Sequence, residues 1–316
     1  MKKLGLVCFA SMISAVLFAQ NDPFFSHYMF NRPFYNPAAV GEEEVASISF
    51  QHRSQWLGYG SSFDGSGGAP NTQLLSAALP VKSFISGLGL NVVNDNLGPV
   101  NNFSLYVPIS YSVSFLNGNL SLGVSPGIFF QDLGDEFRAN DPSDPLIPSG
   151  GQTQTNIDFG AGLFYSSSQN WYLGFAAQNI LEPSFDFGQA GLENAIATSY
   201  NGIVGFSRVL TRDLILSPSV LVRSNLETFT FDFNAILDYK RLAWGGLSFR
   251  RGEAIIFLVG YSFLKERALK VGYALDYVVD QQEAKQPTSH EFFVRYNVPN
   301  LIFGGRKQIK TPRYTY

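Results

Sequence analysis

The stretch from Phe103 to Phe115, FSLYVPISYSVSF, restricts the fold more than any other part of the chain. Its odd positions, Phe103, Leu105, Val107, Ile109, Tyr111, Val113 and Phe115, are all apolar or aromatic, and four of the six even ones are serine. Side chains on a strand point to alternate faces, so this is a strand with one oily and one wet face. Its length decides the class. Strands of soluble sheets run about 5–6 residues, whereas a tilted strand that crosses a bilayer needs about 9–11. After Asn117-Gly118-Asn119 the pattern resumes, with Leu120, Leu122, Val124, Pro126, Ile128 and Phe130 alternating with Ser121, Gly123, Ser125, Gly127 and Phe129. Asn-Gly between two alternating runs is a strong hairpin signal. The chain reads as copies of this hairpin, closed into a barrel in a membrane.

Composition agrees. Charged residues make up 15 % of the 316 residues, against about 25 % in ordinary soluble proteins. The chain has 29 Phe and 15 Tyr, and beyond the N-terminus its apolar residues are interleaved with small polar ones rather than gathered in long runs. That is the weak hydropathy signature of a transmembrane β-barrel. With a formal charge of −3 and no basic stripe, nothing points to nucleic acid.

Residues 1–19 read as a secretory signal peptide, with Lys2 and Lys3 before the apolar Leu4 to Phe18 and a small residue, Ala19, at the cleavage site. The stretch is short for a spanning helix. Its removal takes the formal charge from −3 to −5 and removes Cys8, the only cysteine, leaving no thiol for a disulfide, a nucleophile or a metal.

Residues 20–44 are the least strand-like and form an aromatic plug or docking segment. Asp22 can cap a helix with Pro23 at its first position and Phe24, Phe25, Tyr28 and Met29 on one face. Asn31-Arg32-Pro33 and Asn36-Pro37 should stop it. Six of the twelve residues from Phe24 to Tyr35 are Phe or Tyr. So aromatic a segment must dock, either in the barrel interior or on another protein, and the expected place is the periplasmic mouth, with a surface that partners read.

Residues 45–303 form the barrel, an all-β antiparallel fold of about fourteen strands. The strands are expected at 45–53, 71–80, 84–94, 99–115, 119–131, 155–166, 170–179, 200–210, 213–223, 226–237, 239–250, 253–263, 267–279 and 289–303. Ile255 to Phe263 alternates poorly. Joins after even strands are tight, and the long joins, 54–70, 132–154, 180–199 and 280–288, all follow odd strands. Outer-membrane barrels have short periplasmic turns and longer outer loops, so an even strand count with both ends in the periplasm reproduces this parity. Asp158, Arg223, Asp232, Lys270, Asp276 and Arg295 fall at inward positions, as a wet lumen of mutually paired charges or a selectivity lining. Residues 304–316, with Arg306, Lys307, Lys310 and Arg313, form a basic periplasmic tail, either solvated or a tag for an acidic partner or lipid headgroups.

Motifs for chemistry are missing. The three histidines, His27, His52 and His290, have no zinc spacing, and no nucleophile elbow or phosphate loop stands in a usable context. No cofactor is expected and no catalytic residue is assigned. The loop 132–154 carries Asp132, Asp135, Glu136, Asp141 and Asp144, which either hold calcium or are simply solvated.

The run Phe25-Ser26-His27-Tyr28-Met29-Phe30-Asn31, followed by Tyr35-Asn36-Pro37-Ala38 and Gly41, resembles the N-terminal signature of the PorP/SprF family. Arg53-Ser54-Gln55-Trp56 with Gly68-Ala69-Pro70-Asn71-Thr72 resembles its second block, Gly87-Leu88-Gly89-Leu90 with Asn94-Asp95 and Gly98-Pro99 its third, and Ser289-His290-Glu291 its C-terminal block. His27 stands where the pattern has Gln, and Gly58 to Gly68 is longer than usual. The resemblance implies an outer-membrane protein of the Bacteroidetes type IX secretion system. It further implies contact with periplasmic type IX components and with a large secreted surface protein bearing a type IX C-terminal signal, such as an adhesin of gliding motility. The alternative is a passive porin or small-solute transporter. The aromatic N-terminal segment favours the first reading, because a simple pore gains nothing from it.

Overall fold

The computed structural model describes residues 23–42, 45–59, 68–81, 84–134, 151–187, 194–280 and 285–299. The signal peptide, the Asp22 cap, the basic tail and most of the acidic loop 132–154 lie outside these residues.

Fourteen antiparallel staves form a closed barrel. They are β1 (Ala46–Ser54), β2 (Asn71–Pro80), β3 (Gly87–Leu97), β4 (Val100–Tyr106, resuming as Ile109–Phe115), β5 (Gly118–Leu133), β6 (Gln152–Ser167), β7 (Trp171–Gln178) and β8 (Ser199–Phe206, resuming as Arg208–Val209). The circuit continues through β9 (Leu214–Ser224), β10 (Phe229–Tyr239), β11 (Ala243–Arg250), β12 (Ala254–Phe263), β13 (Leu269–Val278) and β14 (Thr288–Val298). Each pairs with the next, and β14 returns to β1 in a ladder from Ala46–Val298 to Ser54–His290. Closure leaves no open edge, which a lipid-exposed sheet requires. The β7–β8 loop carries a small ribbon of Ser184–Phe185 and Asn194–Ala195.

The strand positions follow the expectation, and the differences have local causes. The expected single strand 99–115 is interrupted at Val107-Pro108. Proline has no N–H to give to a ladder, and the barrel passes the break by other bonds: Gly89 N donates to the Pro108 carbonyl at 2.7 Å and Val107 N to that of Pro126 at 2.9 Å. The break expected between strands 226–237 and 239–250 falls later, because β10 runs on to Tyr239 and β11 starts at Ala243 after the turn Lys240–Leu242.

The outer wall is apolar, as the exposed Phe50, Leu75, Tyr111, Leu122, Phe175, Leu247, Phe257 and Phe292 show. Inward positions are buried and mixed. Ser47, Ser49, Gln51, Asn91, Ser121, Asn201 and Asn234 share the interior with Leu74, Phe164, Ile203, Leu221, Ile256 and Leu258. The short turns and the entry to β1 lie at one end. At the other end lie the loop 134–151 and the β7–β8 loop, beside short turns such as Gly98-Pro99 and 251–253. Outer-membrane barrels keep short turns toward the periplasm, so the first end is the one expected there and the other the expected outer end.

Candidate functional site

Residues 23–42 run through the lumen from end to end. The segment starts among the charged ends of β1, β9 and β11 on the long-loop side and reaches Glu42, which accepts from Ser121 and Ser166, on the short-turn side. It consists of a 3-10 turn (Tyr28–Phe30), one turn of α-helix (Arg32–Tyr35) and a second 3-10 stretch (Pro37–Glu42). The helix therefore lies later than the sequence suggests. Pro33 sits within its first turn and starts it rather than stopping the preceding one, since proline is pre-shaped for that position. Asn36, held extended before Pro37, does end it.

At its upper end the segment is locked by charge. The Phe24 ring is flanked by three guanidinium groups, with Arg250 at 4.4 Å and Arg53 and Arg223 at 4.7 Å from its centroid. Arg250 pairs with Asp232 at 2.9 Å and Asp276 at 3.2 Å, and Arg53 pairs with Asp276 at 2.7 Å. Glu253 lies within 3.7 Å of both Arg53 and Arg250. The Ser26 hydroxyl donates to Asp276, and Ser26 N donates to Glu291 at 2.6 Å. His27 bonds the same Glu291 through its backbone N at 3.0 Å and through Nδ1 at 2.7 Å. Buried ions need such partners, because an uncompensated charge in the interior is costly.

Below the lock the contacts become apolar. Phe25, Tyr28, Phe34 and Tyr35 pack with Leu74, Phe164, Ile203 and Leu221 on one side. Met29 and Phe30 reach the opposite wall at Ile236, Trp244, Ile256 and Leu258. Polar anchors run between: Phe25 N to the Tyr35 hydroxyl, Tyr28 hydroxyl with Ser219, Asn31 to Gln51, and Arg295 to the Phe30 carbonyl at 2.6 Å. Lower still, wall glycines make room. A Cβ on Gly123 would collide with the backbone of Ala38, and one on Gly87 would meet the Val40 carbonyl at 2.6 Å. Gly162 and Gly174 admit the Asn36 amide, which donates to the carbonyls of Leu163 at 2.8 Å and Phe175 at 3.2 Å. The segment is a plug.

A sequence model described as "Type IX secretion system membrane protein PorP/SprF" matches residues 17–296. The chain belongs to the PorP/SprF family. No curated protein matches it. Among solved structures it is similar to a Pseudomonas aeruginosa FadL homologue (13 % identity, 88 % of this chain and 95 % of that one, TM-score 0.46). It is also similar to Acinetobacter baumannii Omp33 (7 %, 80 % and 99 %, 0.46) and to the Pseudomonas putida toluene transporter TodX (10 %, 83 % and 92 %, 0.47).

In this PorP/SprF protein the blocks that carry the family resemblance meet around the plug. Phe25 to Asn31 forms its upper part, and Asn36-Pro37-Ala38 sits on Gly162 and Gly123. Arg53 points inward to the lock, while Gln55 and Trp56 begin the outer loop. There Gln55 N bonds the Pro70 carbonyl and Trp56 N bonds Ser289 Oγ. Glu291 of the last strand holds Ser26 and His27. The Gly87-Leu88-Gly89 block faces Val40.

The structure places all six expected inward charges inside the barrel. Asp232 and Asp276 join the lock and Arg223 stacks on Phe24. Asp158 accepts from the Tyr106 hydroxyl at 2.8 Å, and Lys270 lies 4.5 Å over the Phe30 ring beside Arg295. The lining is thus in part a socket for the plug. The expected readable surface at the periplasmic mouth is corrected. Phe25, Tyr28, Tyr35, Asn31, Asn36 and Pro37 are buried within the barrel, and Phe24 lies toward the outer end. Inward Leu74, Ile203, Leu221, Ile256 and Leu258 give the oily segment apolar partners along the lumen, and burying it there gains more than leaving it at an open mouth. Arg250 and Glu253 were not legible as site residues. Arg250 closes β11 and Glu253 lies in the turn that follows, where the alternation runs out.

Proposed function

We propose that this protein is a non-enzymatic outer-membrane component of type IX secretion. It supports the export or surface anchoring of a large, adhesin-like secreted protein, and it contacts periplasmic components of the same machinery. Family membership supports the setting, and one observation carries the choice between machinery and pore: the N-terminal plug runs the length of the lumen, packed against both walls, and its outer end is held by buried carboxylates and by three arginines around Phe24. A lumen so occupied is a poor solute path, even with the cavity left beside Pro33, Phe34 and Pro37. Cargo and machinery are therefore met on the outer loops, the periplasmic rim or the lipid-facing wall.

Two measurements test the reading. The intact protein in planar bilayers should show little steady conductance. Deletion of its gene should remove a large protein from the cell surface without altering outer-membrane permeability to small solutes. A steady open-channel current from the intact protein, or unchanged surface proteins after deletion, would refute it.

A further inference from the structure

The periplasmic rim is electrostatically lopsided. Three adjacent short turns, β8–β9, β10–β11 and β12–β13, with the end of β8, carry Arg208, Arg212, Lys240, Arg241, Lys265 and Arg267, against only Asp213 and Glu266. All six basic residues are exposed. The other three short turns, at 81–86, 116–117 and 168–170, have one basic residue between them, Lys82. The basic turns also share a surface. Arg212, Lys240, Arg241 and Arg267 line one concavity of about 440 Å³ together with Asp213, Val209 and Ile215, and Lys240 Nζ lies 3.8 Å from the Asp213 carboxylate.

Backbone conformation adds an independent observation. Lys240 (φ 55°) and Arg241 (φ 52°) occupy both central positions of a tight turn closed by Leu242 N to the Tyr239 carbonyl at 2.9 Å. Left-handed backbone at both positions is the geometry that favours Asn-Gly, and long side chains there are strained. Glu266 (φ 58°) and Arg267 (φ 57°) repeat the arrangement one turn further round. Strain retained at adjacent surface turns is a reason to look for function.

We propose that this arc is a docking surface for an acidic face of a periplasmic protein. The inference deepens the secretion reading and rests on it for the partner's place in the machinery. Annular lipid surrounds a barrel evenly, so attraction to phosphates alone would not favour three neighbouring short turns over the other three. The concavity, lined by four basic side chains against one acid and two apolar residues, fits a protruding acidic loop better than a flat layer of headgroups.

The test uses the full-length protein in phosphatidylcholine nanodiscs and a fluorescein-labelled decaglutamate peptide, read by anisotropy at low and high salt. The wild type should bind, and more weakly as salt rises. The variant Lys240→Asn/Arg241→Gly/Arg267→Asn should bind at least about tenfold more weakly. Its unfolding temperature should not fall, because Asn-Gly suits the turn. Arg251→Gln, on an outer turn, should bind as the wild type does. Wild-type affinity in the triple variant, or no peptide binding by the wild type, would overturn the proposal. So would a phosphatidylglycerol-dependent rise in unfolding temperature, lost in the variant, without peptide binding; the arc would then be a lipid contact. Normal export from a strain lacking the whole protein would sink the secretion reading and leave this binding result standing.

Discussion

Arg53 Nη1 lies 2.7 Å from Asp276 Oδ2, joining the first strand of the barrel to the thirteenth inside the lumen. The same carboxylate accepts from the Ser26 hydroxyl and from Arg250. One acid therefore ties together two arginines and the plug, and Asp276→Asn should leave both guanidinium groups short of charge. Removing one partner of a buried pair typically costs about 3–5 kcal/mol. The expected outcome is a folded, outer-membrane barrel whose heat-modifiable band unfolds at a clearly lower temperature. An unchanged transition would mean that the lock contributes nothing.

The glycine seats offer a way to move the plug without touching it. Gly123→Val puts side-chain atoms where the Ala38 backbone runs, while β-branched residues suit a strand. The variant should still insert, should expose residues 23–42 to protease, and should conduct in planar bilayers. A silent, protease-resistant variant would show that the plug tolerates displacement within the lumen.

Replacing Tyr28, Met29 and Phe30 together with alanine empties both apolar clusters that clasp the plug. Large-to-small changes in a packed interior cost about 2–5 kcal/mol each. The outer wall does not depend on these side chains, so the barrel should remain in the membrane with a lower melting temperature and a raised conductance. Loss of the barrel itself would show that the plug is needed for closure.

Orientation is open to single-cysteine labelling, since the sequence after residue 8 contains no cysteine. Leu226→Cys, exposed on the β9–β10 turn, should react with an impermeant maleimide on intact cells. Arg212→Cys should react only after the outer membrane is permeabilised. The reverse pattern would invert the topology, and with it the placement of the basic arc.

Most of the barrel wall was legible because its outer face must be apolar at every second residue. Phe229, Phe233 and Leu237, or Phe103, Tyr111 and Val113, declare themselves. The inner face gave weaker signals, and its misreadings are informative. Ile255 to Phe263 alternates poorly because Ile256 and Leu258 face inward yet are apolar, packed in the cluster that receives Met29 and Phe30. A broken alternation here records something oily inside the barrel. The lock itself was only half visible. Asp232 and Asp276 stand in regular strands, whereas Phe24 and Ser26 lie in a segment whose path depends on the completed lumen.

That dependence bears on the order of assembly. Ser26 and His27 stand before the first strand, yet they are held by Glu291 on the last, and Ser26 also by Asp276 on the one before it. The earliest-made part of the described chain finds its partners only when the latest-made part has arrived. Contacts so distant in sequence form slowly, and an aromatic segment waiting for them is exposed to aggregation meanwhile. The seated N-terminus therefore marks a barrel whose seam between β14 and β1 has already closed. An incompletely inserted chain would display Phe24, Phe25 and Tyr28, making the same residues a signal of unfinished assembly.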